Sequence, residues 1–394
     1  MKIFPSLAND KECTGCMACV DSCNKGAIKR ITDADGHVYV KVNSDACVGC
    51  LKCEKVCYNA LHDYGNNVLS LSKPFAAWSR NVEFRKRGTS GGIFASLAKT
   101  IIDKGGIVIG ADFDGLRCTH RVVSTIEEIS TLQGSKYLQS NTEGIYKTIE
   151  KYIGTRMVLF SGVGCQVGAV LSYFNKHPKK GNLITVDLVC GGVPSSLLLE
   201  SYLAHNKQVE RISAYRDKSR YVLKGIVKGK NIELSNRPLP LFGFFSGFTN
   251  RYSCSDCKFA YAHRKSDITI GDLWGDKEFP TEHEKGISLV ICHNEKGAEL
   301  VSASDITTND ITWQQVLLYN KRIVYGKKHI TKQRINLAAN YKNYSYKKFN
   351  KIYSLNINPI DISNFSFKLT NYLRDKIENK KIQMFIKRLL EQYP

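Results

Sequence analysis

The stretch CTGCMACVDSCNKGAI, residues 13–28, packs Cys13, Cys16, Cys19 and Cys23 into eleven positions, and CVGCLKCEKVCYNAL, residues 47–61, repeats the spacing with Cys47, Cys50, Cys53 and Cys57. Thiols this dense either oxidise to one another or hold a metal. The opening MKIFPSLANDKEC has no apolar core of signal-peptide length, and nowhere do roughly eighteen apolar residues run together. A secretory leader and a membrane span are therefore not expected, and a cytoplasmic location is. Thiols stay reduced there, so a metal site is the expectation and a disulfide framework is not.

The spacing names the metal group. A zinc ribbon separates two C-x2-C knuckles by a longer gap. Two copies of C-x2-C-x2-C-x3-C resemble the two-cluster 4Fe–4S ferredoxins, in which the fourth cysteine of each run ligates the other cluster. On that resemblance Cys13, Cys16, Cys19 and Cys57 hold one cluster, and Cys47, Cys50, Cys53 and Cys23 the other. Asn24 and Tyr58 stand where such proteins usually place proline, which implies altered local hydrogen bonding with the ligands kept. Between the runs, AIKRITDADGHVYVKV reads as two short strands around an Asp35-Gly36 turn. The module, residues 1–73, is a small α+β unit that barely folds without its metal.

A chain of 394 residues is too long for one ordinary domain. Ser72–Trp78 reads as a linker. Strand–loop–helix units follow: RGTSGGIFASLAKTIIDKGGIVIGADFD (87–114), with a helix from about Ile93 and a strand at Ile107–Gly110; RMVLFSGVGCQVGAVLSYF (156–174); and NLITVDLVCGGVPSSLLLESYL (182–203), with Pro194 near a helix start. Alternation of this kind predicts an α/β domain over 74–325. Ligands of such sheets sit at the carboxyl ends of strands, where Gly162–Cys165 and Cys190–Gly192 fall. The glycines of GTSGG (88–92) precede a helix and leave backbone N–H groups open to a phosphate, which Lys136 can neutralise; the simpler reading is a tight turn with a helix cap.

Seven stretches occur in order: GTSGG (88–92), GSKYLQS (134–140), FSGVGCQVGAVL (160–171), DLVCGGVPS (187–195), RYSCSDCKFA (251–260), DITIGDLWG (267–275) and GISLVICHNEKG (286–297). Together they resemble the beta subunit of coenzyme F420 hydrogenases and dehydrogenases, over roughly 75 to 325. The resemblance implies a flavoprotein that passes electrons between FAD, iron–sulfur centres and a redox partner protein or a small-molecule electron donor or acceptor. Gly88, Thr89, Ser90, Gly91, Gly92, Ser135 and Lys136 become the candidate FAD-binding residues. Relatives without a ferredoxin module still carry a cluster, which implies a third 4Fe–4S cluster on Cys165, Cys190, Cys254 and Cys257. Cys118 and Cys292 read as core residues. Gly164 stands in place of the family's proline and Gly191 in place of its histidine, which puts the usual substrate chemistry in doubt.

Two other functions compete with an iron–sulfur flavoprotein oxidoreductase. GVGCQVG (162–168) matches G-x-G-x-x-G after a strand, and Asp187 falls where a ribose-binding acid would, as in an NAD(P)-dependent enzyme. The alternative without catalysis is an electron-carrier or adaptor subunit whose flavin site has decayed. The net charge of +21 is concentrated in a basic, mainly helical extension, 326–394: from Lys321 onward 17 Lys and Arg face 4 Asp and Glu. No nucleic-acid motif accompanies it. The segment FKLTNYLRDKIENKKIQMFIKRLLEQY (367–393) reads as an amphipathic helix that either packs on its own domain or meets a membrane surface or an acidic partner.

Overall fold

The structure, a computed structural model, describes residues 3–58, 72–205, 208–218, 220–235, 249–262, 264–274, 278–320 and 323. The basic tail and its amphipathic segment lie outside the described residues. Strands β1 (Ile28–Thr32) and β2 (Val38–Val42) form the expected antiparallel hairpin. Gly36 closes its turn at φ 79°, a conformation that a side chain would strain.

Beyond the module lies a nine-stranded mixed sheet. Its strands are β3 (Lys73–Ser79), β4 (Ile107–Asp114), β5 (Arg117–Val123), β6 (Ser140–Asn141), β7 (Val158–Val163) and β8 (Leu183–Leu188), with three more from further along the chain. A separate three-stranded antiparallel sheet, which the sequence reading did not anticipate, comprises β9 (Arg211–Asp217), β10 (Arg220–Val227) and β11 (Lys230–Ser235). The large sheet is completed by β12 (Ile268–Asp272), β13 (Ser288–Cys292) and β14 (Ile306–Asp310), in the order β14-β3-β13-β12-β8-β7-β4-β5-β6. The four central strands β12, β8, β7 and β4 are parallel, and antiparallel strands flank them on both sides. The segment read as a linker is β3, paired on both edges with Ala76 and Ala77 wholly buried. Its small side chains and Pro74 concealed the strand.

The period of two sends alternate residues to opposite faces. Val108, Leu159, Ile184 and Val186 meet the helix Ile93–Asp103, which answers with Ile93, Leu97, Ala98 and Ile101 on one stripe. Ile107, Ile109, Val158 and Phe160 meet the helices Ile145–Tyr152 and Gly164–Tyr173 on the other face. Ala18 of the cysteine-rich module joins this second core. The module is thus seated on the sheet domain. Tyr146 Oη and Thr142 Oγ1 donate to the Cys16 carbonyl at 2.6 and 2.8 Å, and the Asp21 carboxylate accepts the Gly144 and Tyr146 N–H groups at 2.8 and 3.1 Å. The β1–β2 turn is held by Ser195 Oγ on the Asp35 carbonyl and Ser196 Oγ on the Gly36 carbonyl. No helix among the described residues is long and apolar enough to cross a membrane.

One buried ion pair ties β8 to the loop ahead of β12. Arg264 Nη1 lies 2.7 Å from Asp187 Oδ2 with both side chains 4% exposed, and Thr269 Oγ1 donates to Asp187 Oδ1 at 2.5 Å. Asp187→Ala strands a guanidinium in a site closed to water and is expected to cost about 3–5 kcal/mol. Tyr146→Phe keeps the ring but loses one hydrogen bond, for about 1 kcal/mol. Denaturant unfolding of both variants checks the order.

Candidate functional site

The sequence repeat is also a backbone repeat. Gly15 and Gly49 take φ 65° and 72°, and the residues after the second cysteine of each run, Met17 and Leu51, take φ 60° and 58°. Each left-handed residue then opens a short helix, Ala18–Asp21 or Lys52–Val56. Turns of this kind gather N–H groups into a concavity suited to an anionic cluster. A Cβ on Gly15 would meet the Val38 carbonyl oxygen at 2.5 Å, so no larger residue fits.

The eight module cysteines line two cavities in a crossed pattern. Cys13, Cys16, Cys19 and Cys57 border one, with Met17, Tyr58 and Phe259. Cys23, Cys47, Cys50 and Cys53 border the other. The electrostatics follow the same division. Burial pushes the Cys19 thiol far up, Cys16, Cys13 and Cys57 push it further, and Cys53 of the other set adds last, whereas Cys53 itself is raised by burial and then by Cys23 and Cys50. Among the described residues no three His, Cys, Asp or Glu side chains form a site for a single metal ion. A four-iron cluster takes one thiolate at each of four separate irons, so its ligands are spread more widely, around a cavity. The donor set and the turns fit such a group.

The remaining four candidates come together from three places in the chain. Cys165 stands in the first turn of the helix after β7, Cys190 lies two residues past β8, and Cys254 and Cys257 flank a tight turn after Arg251. Burial pushes the Cys165 thiol well above its usual range, and the nearby thiols of Cys257, Cys190 and Cys254 push the same way, followed by Cys16. Cys257 is pushed up to about 12, by burial and then by Cys254 and Cys190. Cys190 Sγ accepts the Gly192 N–H at 3.3 Å, and Cys254 Sγ accepts the Val193 N–H at 3.4 Å. Cys118 and Cys292 are buried as expected, at 4% and 2% exposure.

A cavity of about 310 Å³ opens at the carboxyl ends of β7, β8 and β12. Cys165 and Cys190 border it, as do Gly88, Thr89, Ser90, Gly92, Ser135 and Lys136. The helix Ile93–Asp103 points its N-terminus there, behind Gly92 at φ 78° and without a side-chain cap. This end suits a phosphate. Two candidates depart from the expectation. Gly91 turns away, giving its N–H to Ser288 Oγ at 2.9 Å. Lys136 directs its ammonium to the Leu132, Gln133 and Gly134 carbonyls at 3.2, 2.9 and 3.3 Å, and burial holds its pKa below the usual lysine value.

Sequence reasoning missed two residues. His120 on β5 borders the cavity with Nε2 2.9 Å from the Ser161 carbonyl and Nδ1 2.7 Å from Ser140 Oγ. A carbonyl only accepts, so Nε2 carries the proton and Nδ1 accepts from the hydroxyl. Burial holds its pKa at about 4, so the ring stays neutral at neutral pH. Arg251, 1% exposed, donates to the Val38 and Cys13 carbonyls at 2.6 and 3.3 Å and to Gln139 Oε1. Nothing local in the sequence marks either role.

The nicotinamide reading meets two obstacles. A Cβ on Gly164 or Gly168 would strike Phe259, at 2.9 and 2.5 Å, so these glycines make room for an aromatic ring and not for a pyrophosphate. Asp187, the would-be ribose ligand, is committed to Arg264 and Thr269.

Comparison with known proteins agrees with this organisation. Residues 12–60 match a 4Fe–4S dicluster domain, 74–146 match the coenzyme F420 hydrogenase/dehydrogenase beta subunit N-terminal domain, and 155–314 match the C-terminal domain of the same subunit. A chain of the F420-reducing NiFe hydrogenase complex from Methanosarcina barkeri is 20% identical at a TM-score of 0.48, with 69% of this chain and 93% of that chain covered. No curated protein matches. With cysteine runs at family spacing and both halves of the subunit present in order, the chain belongs to the coenzyme F420 hydrogenase/dehydrogenase beta subunit family and carries a 4Fe–4S dicluster domain ahead of it.

Proposed function

We propose that the chain is an iron–sulfur flavoprotein oxidoreductase that exchanges electrons between a redox partner and a substrate at the cavity over β7, β8 and β12. One observation carries this reading: the twelve candidate cysteines fall into three sets of four, with Cys16 of the first set within electrostatic reach of Cys165 of the third and Cys165 on the cavity wall. Bound there, 4Fe–4S clusters supply one-electron steps and FAD supplies the conversion between one- and two-electron chemistry.

The chain's own contribution is to hold and to exclude water. Cys13, Cys16, Cys19 and Cys57 would hold the first cluster, Cys23, Cys47, Cys50 and Cys53 the second, and Cys165, Cys190, Cys254 and Cys257 the third. Phe259 packs on Tyr58 with ring centroids 4.9 Å apart and fills the space between Cys57 and the helix of Cys165. The uncapped end of the helix Ile93–Asp103, with Thr89 and Ser135 linked at 3.0 Å, would receive the FAD phosphates. Neutral His120 would present a fixed polar wall to the ring system. A flavin-free carrier is the second reading, favoured by the Lys136 ammonium being spent on three carbonyls. The module, residues 1–73, and the sheet domain, 74–325, would work as one electron path in the cytoplasm, with 326–394 as a basic extension.

Iron, sulfide and flavin analysis of protein purified without oxygen tests the proposal. About twelve iron atoms and one FAD per chain are expected, by four irons per set. About twelve irons with no flavin selects the carrier; about eight irons removes the third cluster. Cys57→Ala is expected to lower the iron to about eight and to erase the reduced-state EPR signal of the cluster on Cys13, Cys16 and Cys19. Loss of the other signal would reverse the crossed assignment.

A further inference from the structure

The two ends of the module face different surroundings. The cavity of Cys13, Cys16, Cys19 and Cys57 is closed by Phe259, and the Cys13 and Cys16 carbonyls are taken by Arg251, Thr142 and Tyr146. The cavity of Cys23, Cys47, Cys50 and Cys53 is lined among the described residues only by the module itself. Cys50 is exposed, whereas the other ligand candidates of the module are buried or half-buried.

The surface around Cys50 has a definite character. Val48 and Ile3 are 58% and 65% exposed, and the Ile3 backbone lies against Gly49, so the two side chains flank the same loop. Lys25 and Lys52 are exposed and border the cavity. On the adjoining hairpin Lys29 stands directly across from Lys41, a like-charge pair that costs stability. None of these four lysines forms an ion pair among the described residues. Among the described residues the acids of these loops are Asp45, bonded by Ser44 Oγ at 3.3 Å, and Glu54, which accepts the Ser6 N–H at 2.8 Å. Uncompensated lysines around an apolar centre, over a thiol at the surface, suit a small and transient contact with an acidic protein.

We propose that the Cys50 face of the module is the docking surface for a small acidic one-electron carrier protein, with Ile3 and Val48 as the apolar centre and Lys25 and Lys52 as the steering charges. The proposal rests on the reading of Cys23, Cys47, Cys50 and Cys53 as cluster ligands. A carrier seated there is separated from the substrate cavity by the whole module, so it exchanges electrons without blocking the cavity mouth.

Calorimetric titration of the full chain with an oxidised acidic 2Fe–2S ferredoxin, at low and at high salt, tests the surface without any turnover. The wild type is expected to bind at low salt and to weaken as salt rises. The double variant Lys25→Glu/Lys52→Glu is expected to lose about tenfold or more in affinity. The pair Lys104→Glu/Lys230→Glu, with the same change in net charge on distant exposed sites, is expected to bind like wild type. Val48→Asp supplies a second variant should the first lose its iron. Equal weakening by the distant pair, unchanged binding by both face variants, or no binding by the wild type overturns the proposal. Iron content and the reduced EPR spectrum of each sample judge the cluster reading separately: a chain that holds the module's iron and does not bind sinks the docking surface alone, and one that binds without iron sinks the cluster reading and leaves the face an acidic-protein site with no electron-transfer role.

Discussion

The guanidinium of Arg251 is enclosed by the module on one side and the sheet domain on the other. It donates to the Val38 and Cys13 carbonyls, reaches Gln139, and lies 5.1 Å over the Tyr39 ring. The Arg251 backbone N–H, three residues before Cys254, is bonded at 2.9 Å to the carbonyl of Val193, three residues beyond Cys190. The cation therefore registers the first cysteine run against both ends of the third set. A buried cation is tolerated only where carbonyls replace its water, and here one carbonyl opens β2 and the other belongs to Cys13. The seating of the module and the placement of Cys13 against the loop after Cys190 are tied together through this side chain.

The parallel centre of the sheet explains why the cavity is where it is. Strands β7, β8 and β12 run the same way, so their carboxyl ends and the loops that follow converge. Cys165 and Cys190 are carried there by two successive crossovers. The antiparallel flanks serve another purpose. Strands β13 and β3 bring Ser288 beneath Gly91, and β5 brings His120 beneath Ser161, so that the floor of the cavity is fixed by hydrogen bonds between distant segments.

What could be read from the sequence was what is local. Cysteine spacing, the Asp35-Gly36 turn, and the strands and helices around Gly164 and Ile93 are written in intervals of two to eight residues, and each reappears in the structure. Strand β3 was hidden because Ala76 and Ala77 give no pattern until β13 and β14 cover them. The three-stranded sheet of β9 to β11 carries no chemistry-bearing motif and drew no notice. His120 and Arg251 owe their roles to partners 41 and 213 residues away, which no spacing rule reaches. The glycines of GVGCQVG were misleading for the same reason: the ring they accommodate, Phe259, arrives ninety-one residues after Gly168.

The Cys16 carbonyl, held by two donors from the sheet domain, couples the first cysteine run to the stability of both domains. Met17 keeps its left-handed backbone at a cost of about 1–2 kcal/mol, which a cluster in place offsets. Where that loop shifts, Tyr146, Thr142 and Arg251 lose the Cys16 and Cys13 carbonyls as acceptors in a seam that water does not reach, each at about 1–3 kcal/mol. The penalty falls on the sheet domain as well as on the module.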